Sequence, residues 1–394
     1  MEIEAVVVGA GLSGCAAARV LADAGFKVLI IEKRPYVGGL CKDGFNSHGV
    51  FIHFYGPHIF HTRSEKAWQF ACRFTSFLPY IHRVFAAVDG KFVPLPPSLA
   101  TLQKLLPQNL YAEASSKLIE QFGVGAEVDL MELCKSKDKT LSVVSSLLWD
   151  KIYAPYNKKM WEIDAKDVGS KVRGRLKFKV SLEENYFRDP YQGIPVDGYS
   201  TLCYRMIDHP NIRLLLQTEA SSALRFRQKS LDVMGHRFNG PVIITSPLDE
   251  LFSFCYGHLP FRSINIEWRV VPSASCILPA PIVNYPQHLS GPIRETEYRQ
   301  MTGQMHCVTA ISREYPVACH DRDATPPAYP VPDKAAEKLY SRYKSILQRY
   351  AGVFVAGRLG LYRYMNMDEA LLSGMEAAQA AINWRRSYGR RPVS

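Results

Sequence analysis

The sequence has no apolar run near the ~20 residues needed to span a bilayer, no internal repeat and no low-complexity segment. Its nine cysteines are odd in number, widely spaced and never arranged as CxxC. They therefore fit a reduced compartment rather than a disulfide framework. No basic n-region with a cleavable apolar stretch opens the chain, because the first strand-like run leads straight into a glycine-rich turn. A cytoplasmic protein without membrane insertion is expected. What is present is globular: 394 residues, 47% hydrophobic and 22% charged. Domains usually take ~100 to 200 residues, so two or three substructures are expected.

Ile3 to Val8 is a β-branched run, Leu12 to Ala24 has helical spacing, and Lys27 to Ile31 is a second β-branched run, which together make a βαβ beginning. From Pro96 to Asp150 the spacing is helical, with Leu102, Leu105 and Leu106, then Leu118, Ile119 and Phe122, on the expected buried faces. Beyond Val172 come short segments, among them Val242 to Thr245, Ile264 to Val271 and Met305 to Ile311, that suggest a mostly antiparallel sheet. Val353 to Ala356 is a last short strand, and a helical pattern runs from Met367 to Trp384.

Gly9, Gly11 and Gly14 form GxGxxG after a strand and at the start of a helix, and Glu32 closes the second strand. Gly9 permits the tight turn, Gly11 lets the backbone approach a pyrophosphate, and Gly14 lets helix and strand pack. The helix N-terminus, with Leu12 and Ser13, favours the negative charge, while Glu32 suits a ribose. NAD, NADP and FAD all use such a unit. Arg34-Pro35-Tyr36-Val37-Gly38-Gly39, beside Lys33, resembles the FAD-binding oxidoreductase and mutase superfamily. Val355-Ala356-Gly357-Arg358 resembles that superfamily's second flavin-contact segment, so both ends favour FAD.

The segment Tyr55-Gly56-Pro57-His58-Ile59-Phe60-His61-Thr62 resembles the UDP-galactopyranose mutase family. Further similar segments follow in order: Asn185-Tyr186-Phe187, Tyr191 to Pro195, Gly198-Tyr199, Ser246 to Asp249, Arg262-Ser263, Glu314-Tyr315-Pro316, Gly357 to Gly360 and Tyr362-Arg363-Tyr364. The resemblance runs over essentially the whole chain. It implies an α/β fold with a Rossmann-type FAD-binding domain, a helical insertion and a mostly antiparallel sheet domain. The implied division is 1–85 for the first FAD-binding part, 86–168 for a helical domain with a mobile substrate loop, 169–192 and 246–334 for the substrate sheet, and 193–245 and 335–394 for the returning FAD-binding parts.

The family's reaction implies no net redox. Reduced flavin N5 attacks the anomeric carbon, UDP departs, and a covalent flavin–sugar adduct opens and recloses as the five-membered ring before UDP returns. Carried over residue by residue, His58 lies against the flavin, and Arg175, fourteen residues after Trp161, and Arg294 hold the diphosphate. Arginine suits that task through paired, charge-assisted hydrogen bonds. Tyr156, Tyr186, Tyr329 and Tyr364 match the family's substrate tyrosines, Trp161 its mobile loop, and Asn366 stands among its substrate residues. Tyr364 and Met365 also fall beside the flavin. The resemblance further implies a flavin reductant and a homodimer. The histidines are not spaced as a metal site. The formal charge of +11 is met by anionic nucleotides without any nucleic acid.

Four positions depart from the family pattern: Lys179 for arginine, Asn366 for an acid, Ile152 for an aromatic residue beside uracil, and Ala328 for tyrosine. All are expected around nucleotide and sugar, which leaves open an N-acetylated or deoxy sugar or another base. Two rivals remain at this stage. One is an FAD oxidase or dehydrogenase acting on an amine or alcohol, and the other is a flavin-retaining protein that binds sugar nucleotides without turnover.

Overall fold

A computed structural model describes residues 2–162, 177–228, 230–273 and 275–388. Its first layer grows from Ala5–Val8 (β1), which is apolar at every position and buried throughout. Such a run suits a strand covered on both faces of a parallel sheet. Here β1 lies between Val28–Ile31 (β2) and Val242–Ile244 (β4), with Ile212–Leu215 (β3) outside β2 and Val353–Val355 (β5) outside β4. All four pairings are parallel. The helix Leu12–Asp23 (α1) is rich in Ala and packs tightly on this sheet; a Cβ at Gly14 would stand 1.9 Å from the carbonyl oxygen of Gly9. The long helix Met367–Tyr388 (α2) packs against α1.

One expectation is corrected here. Val242–Ile244, grouped above with antiparallel segments, is a buried strand of the parallel sheet, in register with Val6, Val7 and Val8. A short apolar run carries no alternation to separate the two environments.

The second layer is a seven-stranded sheet, ordered Tyr329–Pro330, Phe261–Pro272, Val308–Ala318, Arg294–Glu297, Ile282–Asn284, Val84–Val88 and Lys91–Leu95. Every pairing is antiparallel except that of Ile282–Asn284 with Val84–Val88. The expected boundary at 85/86 falls inside Val84–Val88. That strand and Lys91–Leu95 form a hairpin over Asp89-Gly90, both with positive φ. Asp-Gly between apolar runs is a strong short-range hairpin signal.

Helices Leu99–Leu105, Gln108–Phe122, Leu130–Leu133 and Lys139–Leu148 cover that edge. Leu102 and Leu118 are fully buried as their spacing predicts, whereas Ile119 is 38% exposed. A turn of π-helix, Trp149–Tyr153, then leads into the helix Ala154–Trp161.

Candidate functional site

Two clefts lie side by side. The first opens at the C-terminal ends of β1 and β2, where ligand crevices of open parallel sheets form, and is lined by Gly9, Gly11, Leu12, Ser13, Glu32, Lys33, Arg34, Gly38, Gly39, His58 and Arg358 among others. No side chain caps the start of α1, and its first turn carries no acid. Its leading amides have no intrahelical acceptor and suit an anion. Glu32 is buried; Ala10 N donates to its Oε2 at 2.7 Å and Arg34 N to its Oε1 at 2.8 Å. These bonds fix the carboxylate at the rim with acceptor capacity left over.

Gly14 lies behind this wall as a packing residue. Met365 is fully buried and contributes its carbonyl oxygen, which accepts from Arg358 Nε at 3.0 Å and from Nη2 at 2.5 Å. Thr218, Glu219, Thr245 and Ser246 also line the cleft, and sequence reading missed them. Each pair follows a parallel strand, β3 or β4, so recognising those strands as parallel is the signal that finds them.

His58 closes the inner end. Its Nδ1 lies 2.8 Å from the Gly56 carbonyl, so Nδ1 carries the hydrogen, while its backbone N donates to His53 Nδ1 at 3.0 Å. Burial, with the Arg358 cation next, lowers the His58 imidazole to about 4, so the ring is neutral near pH 7. His53 is itself wholly buried and lies edge-on to Tyr199 and Tyr298.

The second cleft brings Tyr156, Trp161, Tyr186, Arg294, Tyr329 and Tyr364 together, with Ile152, Asn157, Ile264 and Asn284. Arg294 donates through Nε to Glu314 Oε2 at 2.6 Å. Gly56, at φ +89°, passes so close that a Cβ there would lie 3.1 Å from both Arg294 Nη2 and Glu314 Oε2. Tyr329 and Tyr364 stack at 5.7 Å and 11°. The Arg358 guanidinium stands 5.2 Å from one ring centroid and 5.4 Å from the other, while Trp161 meets Tyr329 edge-on at 6.3 Å. Arg358 therefore separates the two clefts and touches both. At the end of helix Ala154–Trp161, Arg262 donates to the Met160 carbonyl at 2.9 Å and pairs with Glu162 at 2.9 Å. Arg175 lies outside the described residues.

The four departures separate by position. Ile152 lines the second cleft. Lys179 is 2% exposed and donates to the carbonyls of Asn185 and Tyr186 at 2.7 and 3.2 Å, so it supports the backbone beside Tyr186. The Asn366 amide donates to Glu369 Oε2 at 2.7 Å at the head of α2. The Ala328 backbone bridges Arg262 and Arg358. Lys179 thus acts through the backbone beside Tyr186, and the contacts described for Asn366 and Ala328 are made by their backbone atoms. Among the described residues no group of His, Cys, Asp and Glu could hold a metal ion, and no helix is long and apolar enough to cross a membrane.

Comparison with known proteins agrees with this arrangement. Residues 151–364 match the family model "UDP-galactopyranose mutase", and residues 7–74 match "NAD(P)-binding Rossmann-like domain". The chain is 31% identical over 390 residues to the UDP-galactopyranose mutase of Mycoplasma pneumoniae, covering 97% of this chain and 96% of that one. It is 28% identical to the dTDP-fucopyranose mutase of Escherichia coli, covering 96% and 98%. In fold it is similar to a reduced UDP-galactopyranose mutase, with TM-score 0.70, 16% identity and coverage of 97% and 96%. Wild-type putrescine oxidase bound to putrescine is similar at TM-score 0.56 and 13% identity, covering 97% and 99%. With the Rossmann cleft, the second cleft around Arg294 and a relative above 30% identity in agreement, the chain belongs to the UDP-galactopyranose mutase family, whose named relatives are isomerases.

Proposed function

We propose that this protein interconverts UDP-galactopyranose and UDP-galactofuranose with reduced FAD in the first cleft. The observation that carries the reading is the junction at Arg358: a dinucleotide-binding cleft adjoins an aromatic cleft holding Arg294, a partly exposed arginine fixed by a buried carboxylate. A small neutral amine has no use for such a cation, whereas a diphosphate leaving group requires one. The Gly9–Gly14 turn and the start of α1 would hold the FAD pyrophosphate, and Glu32 the adenosine ribose. The close approach of Gly39 and Gly11 supports this fit, since a Cβ on Gly39 would lie 3.1 Å from Gly11 Cα and narrow the cradle.

When bound and reduced, FAD supplies a nucleophile for the anomeric carbon and recovers its electrons, which makes the reaction redox-neutral. The chain's own residues bind and orient. Glu314 occupies Arg294 Nε and leaves the Nη groups to bind phosphate oxygens. Tyr329 and Tyr364 present hydroxyls beside ring faces that pack on the sugar. Trp161 excludes water from above, and neutral His58 offers Nε2, not a cation, to the cofactor side. Arg175 is assigned the other diphosphate contact, the family's first diphosphate arginine, on the family pattern alone.

A second reading, another nucleotide sugar as substrate, is favoured by Ile152, an aliphatic residue in the part of the cleft that would take the base. The 28% identity to an enzyme named for dTDP-fucopyranose points the same way. Anaerobic mixing of oxidised holoprotein with UDP-galactose tests the redox-neutral reading. An unchanged flavin spectrum is expected, and stoichiometric bleaching would favour an oxidase. Parallel competition by UDP and dTDP separates the two substrate readings.

A further inference from the structure

Lys159 is 9% exposed and belongs to the helix that carries Tyr156 and Trp161. Its Nζ donates to three carbonyl oxygens: Pro292 at 2.8 Å, Tyr285 at 3.2 Å, and His288. All three belong to one turn, residues 285–292, which leads directly into Ile293 and Arg294. Among the described residues no carboxylate pairs with this ammonium group, and burial pushes it down to about 8. Burying a cation costs several kcal/mol unless its hydrogen bonds are made, and a leucine would fill the same space without that cost.

We propose that Lys159 is a positioning residue that ties the Tyr156–Trp161 helix to the turn feeding Arg294, and thereby sets the width of the nucleotide-sugar cleft. An ammonium group has three donors, and three carbonyls take them, so none remains for a substrate phosphate. Both walls that it joins line the cleft: Tyr156, Asn157, Met160 and Trp161 from the helix, Pro286 from the turn and Arg294 from the strand that follows it. Arg262, on strand Phe261–Pro272, secures the neighbouring residue of the same helix through the Met160 carbonyl, so Lys159 is the tie on the turn side. Without it the walls separate, and binding must draw them together again. Saturating ligand does this itself, because it contacts both. The loss therefore falls on KM and on affinity, with kcat retained.

The inference rests on the mutase reading, and its test separates the two. FAD-loaded full-length wild type, Lys159→Met and Lys159→Arg are compared for turnover and for UDP affinity by tryptophan fluorescence. Lys159→Met is expected to keep its flavin and a kcat close to wild type, while KM and the UDP Kd rise about tenfold, equivalent to ~1.4 kcal/mol. Lys159→Arg should recover part of that loss. Unchanged KM and Kd in Lys159→Met, or a fall in kcat alone, overturn the proposal.

Hydrogen exchange on wild type needs no variant and decides the matter even if Lys159→Met fails to fold. Residues 154–161 and 285–292 should open together and gain protection together with UDP; independent opening overturns the tie. Wild type that neither binds UDP nor turns over would remove the mutase reading instead, while exchange would still report on the tie.

Discussion

Arg294 and Glu314 are direct cross-strand partners in the seven-stranded sheet, and Glu314 Oε2 accepts from Arg294 Nε at 2.6 Å with the Glu314 side chain wholly buried. Burial raises the Glu314 carboxyl, and the adjacent guanidinium opposes that rise. The sheet register thus fixes which edge of Arg294 is left toward the second cleft. Breaking a buried pair by removing one partner costs about 3–5 kcal/mol. Beside that stability cost, loss of the anchor leaves Arg294 unoriented, so Glu314→Ala should lower kcat/KM by on the order of 100-fold, about 2.7 kcal/mol, and Glu314→Gln, which keeps an acceptor, by less. Steady-state kinetics check this; wild-type kcat/KM in Glu314→Ala contradicts it.

Two substitutions separate chemistry from cofactor retention. Arg294→Ala should abolish turnover in a protein that stays yellow and still folds, at lower stability because Glu314 loses its partner, since the flavin cleft is built from other elements. Gly14→Ala would set a Cβ 1.9 Å from the Gly9 carbonyl oxygen, so it should give protein with little bound flavin. Flavin absorbance per chain distinguishes them, and a colourless Arg294→Ala would make Arg294 structural.

Two buried histidines, His53 and His82, and the partly buried His58 give stability a defined pH dependence. Burial lowers His58 to about 4, His82 to about 3, and His53 well below its ordinary value near 6.5. Between those values and ~6.5 the unfolded chain binds protons that the folded chain does not, so stability falls as pH falls through this window. Each group contributes up to ~1.4 kcal/mol per pH unit. Denaturant midpoints should decline steadily from pH 6.5 to 4 and level off above pH 7. His58→Asn should flatten the slope; an unchanged slope contradicts its assignment.

Lys179→Met should destabilise the fold by about 2–4 kcal/mol by leaving the Asn185 and Tyr186 carbonyls without their donor. It should not change the preference between UDP and dTDP, because Ile152, and not Lys179, lines the cleft. Thermal melts and competition binding read the two effects. A switch in nucleotide preference would return Lys179 to the ligand.

The first cleft was legible in the sequence because its parts are local. Gly9, Gly11, Gly14 and Glu32 lie within one βαβ unit, and the turn conformations they need restrict residue choice. His58 was legible through its composition-poor neighbourhood of Gly, Pro and aromatics. The tyrosines and Arg294 were found by order of motifs, since their convergence depends on register across a sheet whose strands come from 84–95 and 261–330. Glu314 and Lys159 were not assigned roles for the same reason: a glutamate on a strand and a lysine on a helix look solvent-facing until their partners are placed. Val242–Ile244 lies in the parallel sheet, as the expected division at 193–245 allows, but a run of three apolar residues has too little pattern to show the strand direction; the Asp89-Gly90 turn joins the strands on either side of the expected 85/86 boundary.

The central claim is tested most directly by incubating dithionite-reduced protein with UDP-galactofuranose, following the sugar nucleotides by chromatography, and running oxidised protein alongside. Conversion to UDP-galactopyranose only in the reduced sample, without stoichiometric flavin oxidation, is the predicted result; a reduced, FAD-loaded protein that binds UDP yet gives no pyranose would contradict it.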